Sequence, residues 1–320
     1  MSLVEEKTES RLPTPLNAKK AVSILGVPLG YGASMAGVDM GPAALRVARL
    51  NQRITNLGYS VRDLGDLRLE RPHVIPQPDD KLKYVREISA ACEQLAREVE
   101  EIMTADELPL ILGGDHSIAI GSISGMSSFC RKQQETLGLI WFDAHADMNT
   151  PESTPSGNIH GMPLAVVLGF GTPELTEVAG FSPKLDPALC VHIGARDIDP
   201  GERALIQRLG LRFITMREID ERGMSACVDE AITIASRATS GYSVTFDVDV
   251  LDPGDAPGSG TLVRGGLTYR EAHLAMEKIS EAGGMQSLEV VEINTALDIN
   301  NKTAELGVEL ILSALGKTIL

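Results

Sequence analysis

The sequence has few cysteines, few aromatic residues and fewer basic than acidic side chains. Its 320 residues include four cysteines, 4% aromatic residues, and 29 lysines and arginines against 44 aspartates and glutamates, which gives a formal net charge of −15. The widely separated cysteines form no C-x-x-C motif, which favours a reduced, cytoplasmic compartment over a disulfide framework. The negative charge argues against nucleic acid or an anionic membrane surface as a partner, and it suits a small cationic substrate as well as simple solubility.

Long hydrophobic runs are also absent. Nothing approaches the roughly 18 consecutive apolar residues of a membrane-spanning helix, and we expect no apolar signal segment at the N-terminus. Residues 1–20 are charged and contain two prolines, which predicts a flexible N-terminal tail. With 43% hydrophobic residues and no break in composition, residues 21–320 are predicted to form a single catalytic domain.

Short β-rich runs alternate with longer helical patterns along most of the chain. This alternation predicts an α/β fold, a three-layer αβα arrangement with a mainly parallel open sheet of about eight strands. A closed eight-stranded barrel is the alternative, which irregular segment lengths and long polar loops at 148–160 and 251–267 disfavour. The predicted strands are Ala21–Val27, Tyr59–Leu64, Leu108–Leu112, Leu137–Phe142, Leu189–Ile193, Arg212–Thr215, Tyr242–Phe246 and Ser287–Ile293. The predicted helices are Pro42–Ile54, Asp80–Met103, Ile118–Ser127, Pro200–Leu209, Ser225–Arg237, Tyr269–Ala282 and Thr303–Leu315.

The stretch from Trp141 to Asn149 places three candidate metal ligands directly after an apolar run. Asp143, His145 and Asp147 occupy alternate positions at the end of a predicted strand, and alternate residues of a strand share a face. Two carboxylates and an imidazole would therefore point into one space, where the carboxylates would repel each other without a cation. Taken alone, the pattern also fits an acidic surface loop.

Two further predicted strand ends carry similar residues. His116 stands in a Gly-Gly-Asp-His-Ser turn after the strand at 108–112, either as a ligand or as an incidental residue of a capping turn. Asp247 and Asp249 follow the strand at 242–246, and on their own they would also fit a strand-end turn. In open α/β sheets the ligand site lies beyond the carboxyl ends of the strands, so these segments are expected to meet.

Together the three segments supply four carboxylates and two imidazoles without a thiolate. This set is too large for a single structural zinc, and it fits two divalent ions of the manganese type. Such a pair of ions lowers the pKa of a bridging water, so that hydroxide exists near neutral pH. We therefore predict a binuclear site with the ligands His116, Asp143, His145, Asp147, Asp247 and Asp249.

Three other segments offer polar side chains beside this predicted site. The loop at 148–163 is rich in polar and turn residues, and its His160 would either exchange protons or cap the next helix. Glu292 lies at a half-buried strand end, where it would match a planar guanidinium or be an ordinary strand-end glutamate. Asp199 and Glu202 follow another strand, where such residues usually cap a helix.

Several of these segments, in this order, resemble the ureohydrolases, and within them the arginases. The resemblance runs from about Ala21, through Gly37-Val-Asp-Met-Gly-Pro42, to the C-terminal helix. It implies the arginase-like three-layer fold, hydrolysis of L-arginine to L-ornithine and urea, two manganese(II) ions per subunit, and a homo-trimer or homo-hexamer. The motifs are Gly-Gly-Asp-His-Ser, Asp-Ala-His-Ala-Asp-Met-Asn, Ser-Gly-Asn-Ile-His-Gly, Phe-Asp-Val-Asp-Val-Leu-Asp-Pro and Glu-Val-Val-Glu-Ile-Asn.

The resemblance also assigns roles to the candidate residues. A hydroxide bridging the two manganese ions would attack the guanidinium carbon, while Glu292 binds and orients the guanidinium. Asp147 would pass a proton to the leaving amine, and His160 would exchange protons with bulk water. The predicted substrate-binding residues are Asn149, Ser156 and Asn158 for the α-carboxylate, Asp199 and Glu202 near the α-amino group, and Thr261 at the end of a glycine-rich loop.

Three alternative functions stay open from the sequence. Another amidinohydrolase, acting on agmatine or a guanidino acid, would share the metal ligands, although the Ser-Gly-Asn-Ile-His-Gly motif favours L-arginine. A non-catalytic guanidino-binding homologue is disfavoured because the ligand and proton-transfer positions are intact. A two-metal phosphohydrolase should carry Lys or Arg near the metals to clamp phosphate, and none occurs between Gly138 and Ala165.

Overall fold

A computed structural model describes residues 20–318 of the protein, and these residues contain eight strands in one parallel sheet. The strands are β1 (Val22–Val27), β2 (Val61–Asp66), β3 (Leu108–Gly113), β4 (Gly138–Phe142), β5 (Cys190–Ala195), β6 (Arg212–Thr215), β7 (Tyr242–Asp247) and β8 (Met285–Val291). Their spatial order is β2-β1-β3-β8-β7-β4-β5-β6, so the last strand of the chain inserts between the third and the seventh. The predicted open sheet is confirmed, and the barrel alternative is wrong.

Helices cover both faces of this sheet. The α-helices are α1 (Gly41–Val47), α2 (Leu50–Asn56), α3 (Val85–Thr104), α4 (Ala119–Lys132), α5 (Pro163–Val167), α6 (Pro173–Thr176), α7 (Pro200–Leu209), α8 (Met216–Arg222), α9 (Met224–Ala235), α10 (Tyr269–Ala282) and α11 (Lys302–Ala314). Short 3-10 helices lie at Val38–Met40, His116–Ile118, Ile159–Gly161, Val178–Gly180, Pro187–Leu189 and Val248–Val250. No helix within residues 20–318 is both long and apolar enough to cross a membrane.

The sheet separates two hydrophobic cores. Along β4, Ile140 and Phe142 pack on one face with α1, α2 and α8–α11, and Leu139 and Trp141 pack on the other with α3–α7. Because both faces are covered, β4 is buried at every position, and so are β1, β3, β5 and β7. The edge strands β2 and β6 carry exposed or half-buried residues, as expected where a sheet meets solvent.

The elements agree closely with the predicted ones, with one helix broken and three short helices missed. All eight strands and all seven helices occur near their predicted positions, but the helix predicted at 42–54 is split into α1 and α2. The break lies at Arg49, whose φ of 64° is left-handed and cannot continue a helix. The short helices α5, α6 and α8 were not predicted, since one or two turns leave little periodicity to detect. Of the predicted tail at 1–20, all but Lys20 lies outside the described residues.

Candidate metal centre and active site

The candidate site lies at the carboxyl ends of the four central strands of the sheet, β3, β8, β7 and β4. His116 follows β3, Glu292 follows β8, Asp247 and Asp249 stand at the end of β7, and residues 143–147 follow β4. Parallel neighbouring strands end at the same edge, so segments that are far apart in sequence meet there. The sequence-based expectation that these segments converge is met.

One group of potential metal ligands consists of His116, Asp143 and Asp247, whose ligand atoms all lie within 4.8 Å of one another. The Nδ1 atom of His116 is 3.0 Å from an oxygen of Asp143 and 3.3 Å from an oxygen of Asp247. An oxygen of Asp147 also approaches this nitrogen, at 3.1 Å. One imidazole nitrogen thus faces three carboxylates across a space suited to a single cation.

A second group consists of Asp143, His145 and Asp249, again with its ligand atoms within 4.8 Å of one another. Nδ1 of His145 lies 3.0 Å from Asp249 and 3.5 Å from the second oxygen of Asp143. Asp143 therefore belongs to both groups and offers a different oxygen to each. A shared carboxylate of this kind is what two neighbouring cations require.

The buried carboxylates and imidazoles of the site do not neutralise one another and are suited to binding cations. Within residues 20–318, Nδ1 of His116 and Oδ2 of Asp147 are buried without a well-oriented hydrogen bond. Burial and the nearby Asp143 carboxylate raise the pKa of Asp147 to about 8. Burial, with Asp249 and Asp143, also raises the pKa of Asp247 well above its usual range. Oxygen and imidazole donors without sulfur suit hard or borderline divalent ions, so the residues present fit a binuclear centre.

Neighbouring side chains and backbone groups hold the ligands in place. Nε2 of His116 is 2.9 Å from the Thr245 hydroxyl, which donates in turn to Glu289 at 2.9 Å. The Trp141 indole nitrogen donates to Asp143 at 3.1 Å, and its ring stacks on His116 with 4.2 Å between centroids. Contacts of this kind orient metal ligands and fix the tautomer of a coordinating histidine.

Two residues of the site have strained backbones. Asp147 and Glu292 have φ values of 54° and 64°, in the left-handed region that residues with a side chain seldom occupy. Such a conformation costs about 1–3 kcal/mol and persists only where the surrounding structure imposes it. Here the Asp147 carbonyl accepts from the amide of Ala165 at 3.1 Å, and the Glu292 amide donates to Gly114 at 2.9 Å. Hydrogen bonds to neighbouring segments thus fix the backbone at both carboxylate residues.

Glu292 and His160 form a buried acid–base pair beside the metal ligands. Oε1 of Glu292 lies 3.0 Å from Nδ1 of His160 and accepts a hydrogen bond from the His116 amide at 2.9 Å. Burial acts to lower the pKa of His160, but the charge and hydrogen bond of Glu292 outweigh it and raise the value to about 9. The pair thus keeps a proton available on an imidazole whose side chain is 17% exposed.

A cavity of about 160 Å³ adjoins these groups. Asp147 and His160 line it, together with His116, His145 and Asp247, whereas Asp143, Asp249 and Glu292 are buried and do not. Its lining also includes every substrate-binding residue predicted from the sequence, namely Asn149, Ser156, Asn158, Asp199, Glu202 and Thr261. Polar groups on several loops therefore surround a space next to the candidate metal ligands.

A family model described as the arginase family matches residues 20–316. The chain belongs to the arginase family. It is 47% identical over 304 residues to the arginase of Bacillus caldovelox, over 94% of this chain and 100% of that protein. Among solved structures, the arginase of Bacillus subtilis subsp. subtilis str. 168 has a TM-score of 0.88 at 46% identity, over 94% of this chain and all of that one. The arginase of Entamoeba histolytica in complex with L-ornithine has a TM-score of 0.85 at 28% identity, over 93% and 99% of the two chains.

Two predicted substrate-binding residues of this arginase-family chain also have local structural partners. Asp199 and Glu202 form a capping box at the start of α7, as the plainer sequence interpretation expected. Glu202 accepts from the amides of Asp199 at 2.8 Å and Met148 at 3.0 Å, and Asp199 accepts from the Asn149 side chain at 2.9 Å. Burial is the main cause that raises the pKa of Glu202 to about 7. These contacts fasten the loop after β4 to α7.

Sequence reasoning missed several residues of the site. Asp115 accepts hydrogen bonds from the Gly32 and Ser117 amides, and Arg196 holds the loop after β7 through its backbone carbonyls. Thr245 and Glu289 lie inside strands, where a single polar residue gives no distinctive pattern. The turn after β3 was expected to cap the next helix, and Asp115 does so through the Ser117 amide, so only its bond to Gly32 was not expected. The cavity lining also includes Thr154, Pro155, Gly161 and Asp197.

Proposed function

We propose that this arginase-family protein hydrolyses the guanidinium group of L-arginine to L-ornithine and urea, with two manganese(II) ions as cofactor. The observation that carries the proposal is the pair of ligand groups sharing Asp143, next to the His160–Glu292 pair and the polar cavity. The relatives described above support the substrate, since they are named arginases and the Entamoeba protein was solved with L-ornithine.

The proposed ligands divide between two sites. Asp143 belongs to both, Asp147 joins the first through its approach to His116, and carboxylates and imidazoles in this proportion are compatible with manganese. When bound, the two ions supply a nucleophile from water near neutral pH. The first site would use His116, Asp143, Asp147 and Asp247, and the second Asp143, His145 and Asp249.

The protein's own side chains would bind the substrate and move protons. Guanidinium is resonance-stabilised and a poor electrophile, so its carbon must be held in one place, which we assign to the Glu292 carboxylate. Asp147 lines the cavity beside His160, so its carboxylate is placed to pass a proton to the leaving amine. His160 is buried enough to meet the substrate and exposed enough to exchange that proton with water.

We assign recognition of the amino-acid end of the substrate to the cavity loops. Asn149, Ser156 and Asn158 would bind the α-carboxylate, because their amide and hydroxyl groups offer neutral hydrogen-bond donors beside the cavity. Asp199, with Glu202 behind it, would attract the α-amino group. Thr261 donates to Asp249 at 3.0 Å and lines the cavity, so it would connect substrate contacts to the second metal site.

We also propose that residues 21–320 form a single catalytic domain. A cytoplasmic location is supported by the four cysteines, which are buried free thiols. The proposed assembly is a homo-trimer or homo-hexamer, and no nucleic-acid or membrane partner is proposed for a chain of net charge −15.

Urea release and metal content test the function together. The purified protein, with manganese added, should release urea and ornithine from L-arginine and much less urea from agmatine. We expect about two bound metal ions per chain. Asp249→Ala should lower the metal content, and it should lower the turnover rate by about 100-fold or more. Faster turnover of agmatine than of L-arginine would show that agmatine, and not L-arginine, is the substrate. Turnover by Asp249→Ala equal to that of the wild type would contradict the binuclear mechanism.

A further inference from the structure

A second, larger cavity of about 540 Å³ shares two residues with the candidate active site. Ser156 and Asn158 line both cavities, so a molecule leaving the second cavity would meet the residues assigned to the α-carboxylate. We call this second space the outer cavity. Its other lining residues include Tyr31, Ser34, Lys83 and Tyr84.

Lys83 supplies a positive charge to the outer cavity. It is half-buried, and its ammonium has neither an ion pair nor a hydrogen bond to any residue between 20 and 318. The nearby Lys81 differs, because its ammonium donates to the Thr154 carbonyl at 2.9 Å. The backbone amide of Lys83 donates to the carbonyl of Gly157 at 3.0 Å, which ties it to the loop that carries Ser156. A half-buried ammonium without a partner suits an anionic ligand.

The wall beside Lys83 is aromatic and held in a strained conformation. Tyr84 has a φ of 56°, and its ring lies 5.6 Å from that of Tyr31 between centroids. A bulky residue in this region costs about 1–3 kcal/mol, and such strain is concentrated at ligand sites. Here the conformation presents the Tyr84 ring to the outer cavity. The aromatic wall provides a face on which a planar cation can stack.

Charges of both signs surround this wall. Burial raises the pKa of Tyr31, the nearby Arg71 lowers it, and the carboxylates of Asp39 and Glu87 raise it further. These charged groups lie near Tyr31, but among the residues that line the outer cavity the charge is carried by Lys83. An amino acid with a guanidinium side chain offers a carboxylate to Lys83 and a planar cationic end to the aromatic wall.

We propose that the outer cavity is a carboxylate-binding subsite, in which Lys83 holds the α-carboxylate of an incoming L-arginine before Ser156 and Asn158 receive it. The inference rests on the proposed function and extends it to a residue that none of the sequence motifs contains. Because Lys83 acts before the chemical step, it should influence capture of the substrate and leave the step itself unchanged.

The first test is the steady-state rate of urea release by the manganese-loaded enzyme, comparing wild type with Lys83→Met, Lys83→Gln and Lys83→Arg. Both neutral variants should raise KM about threefold to tenfold with kcat within about twofold, and Lys83→Arg should restore most of the loss. The difference should shrink at about 0.5 M salt, because salt screens the attraction. Lys132→Met is the matched control, since it removes the same charge from the exposed end of α4.

The second test uses inhibitors with and without a carboxylate. The inhibition constant of L-ornithine should be about threefold or more higher for the Lys83→Met enzyme than for wild type. Putrescine lacks the carboxylate, so its inhibition constant should be the same for both enzymes. A KM equal to that of Lys132→Met, or an equal loss for ornithine and putrescine, would overturn the subsite. If the wild type releases no urea from L-arginine, the proposed function falls and the subsite with it. If the wild type is active and the Lys83 variants match the control, the subsite alone falls.

Discussion

At the scale of single residues, the orientation of His116 depends on a side chain that touches no substrate. Thr245 accepts from Nε2 of His116 and donates to Glu289, so the other ring nitrogen is left to face the carboxylates. Glu289 is buried inside the sheet, and burial raises the pKa of its carboxyl. The hydroxyl of Thr245 therefore lies between a buried acid and a proposed metal ligand.

Replacing Thr245 with valine should weaken metal binding with little change of volume. The variant keeps the shape of the side chain and removes the hydrogen bond that fixes the ring of His116, so manganese affinity should fall about 10-fold to 100-fold. Calorimetric titration of the metal-free protein with manganese measures this, and Thr245→Ser should restore the affinity. Ser243→Ala, on the same strand with its hydroxyl bonded to Ser287, is the control. Equal affinity in Thr245→Val and Ser243→Ala would contradict the role.

The residues of the site were predictable from the sequence where they recur at a fixed spacing or follow a predicted strand in a distinctive polar motif. Asp143, His145 and Asp147 repeat at every second position after an apolar run, which indicated that they converge, although in the structure they lie in the loop after β4 and not in a strand. Thr245 and Glu289 show no such repeat, and they meet only because β7 and β8 are neighbours in this register. Pairing between strands that are distant in the chain is a property of the folded sheet, which single-sequence patterns do not carry.

At the scale of elements, the loop after β7 is held by one arginine. The Arg196 guanidinium donates to the carbonyls of Asp249 and Val263 at 2.7 Å each, and to those of Val250, Leu251 and Gly194 at 3.1–3.3 Å. The segment that these bonds hold runs from Asp249 to Val263 and includes the cavity residue Thr261. A planar group with five donors connects the start and the end of this loop to β5.

Arg196→Lys should loosen this loop while keeping the positive charge. A lysine offers three donors from one point and cannot reach five spread carbonyls, so Asp249 should be held less firmly. We expect about tenfold weaker binding of one of the two metal ions and a lower turnover at limiting manganese. Metal analysis after gel filtration, with Arg217→Lys on the exposed face of α8 as control, measures the effect. Two tightly bound ions in Arg196→Lys would contradict it.

The edge strand β2 is tied to α1 by a carboxylate whose effect depends on pH. Asp63 accepts hydrogen bonds from Arg46 at 2.9 Å and from Asn51 at 2.7 Å. Burial acts to raise the pKa of Asp63, but these hydrogen bonds lower it from 3.8 to about 2. A carboxyl with a lower pKa in the folded protein stabilises it fully above 3.8, and the stabilisation is lost as pH falls towards 2.

Asp63→Asn should therefore destabilise the protein at neutral pH more than in acid. After allowance for solvent screening, we expect a loss of about 1 kcal/mol in the free energy of unfolding at pH 7 and pH 5. The difference from wild type should shrink at pH 3, because protonation of Asp63 has begun to remove the same contribution in the wild type. Urea unfolding at the three pH values measures it, with Asp220→Asn, an exposed residue of α8, as control. A constant difference across the range would rule out this account.

At the scale of the whole molecule, metal binding and folding should be coupled. Asp143, Asp147, Asp247 and Asp249 are buried together at the carboxyl ends of the central strands, where their mutual repulsion opposes folding unless cations are present. A metal ion whose free concentration is 100 times its dissociation constant contributes about 2.7 kcal/mol to the stability of the folded state. The centre should therefore hold together the four strands that supply its ligands.

Removing the metals should lower the melting temperature. Chelation followed by dialysis should lower it by about 5 °C or more, and returning manganese should restore it, whereas calcium should do so less well. Differential scanning calorimetry measures the shift in melting temperature. Asp249→Ala should reduce this shift, and the control Asp220→Asn should leave it unchanged. Identical melting temperatures with and without chelation would disprove the coupling.

The overall architecture followed from the sequence more readily than the order of its strands. Alternating apolar runs and amphipathic segments, such as the strand that begins at Tyr242 and the helix that begins at Tyr269, indicated parallel strands with helical crossovers. The position of β8 between β3 and β7 was not predicted, because both neighbours present equally buried apolar edges. Side-chain packing across the completed sheet decides between such arrangements.

The insertion of β8 also brings together the ligand group of His116, Asp143 and Asp247. Without it, strand pairing leaves two separate sheets, β2-β1-β3 and β7-β4-β5-β6. His116 belongs to the first, whereas Asp143 and Asp247 belong to the second. Before β8 is in place, no backbone pairing connects these two groups of strands, although both pack against α3 and α4 in one hydrophobic core. The group of His116, Asp143 and Asp247 is therefore complete only once β8 joins the two parts of the sheet, whereas Asp143, His145 and Asp249 all follow strands of one part.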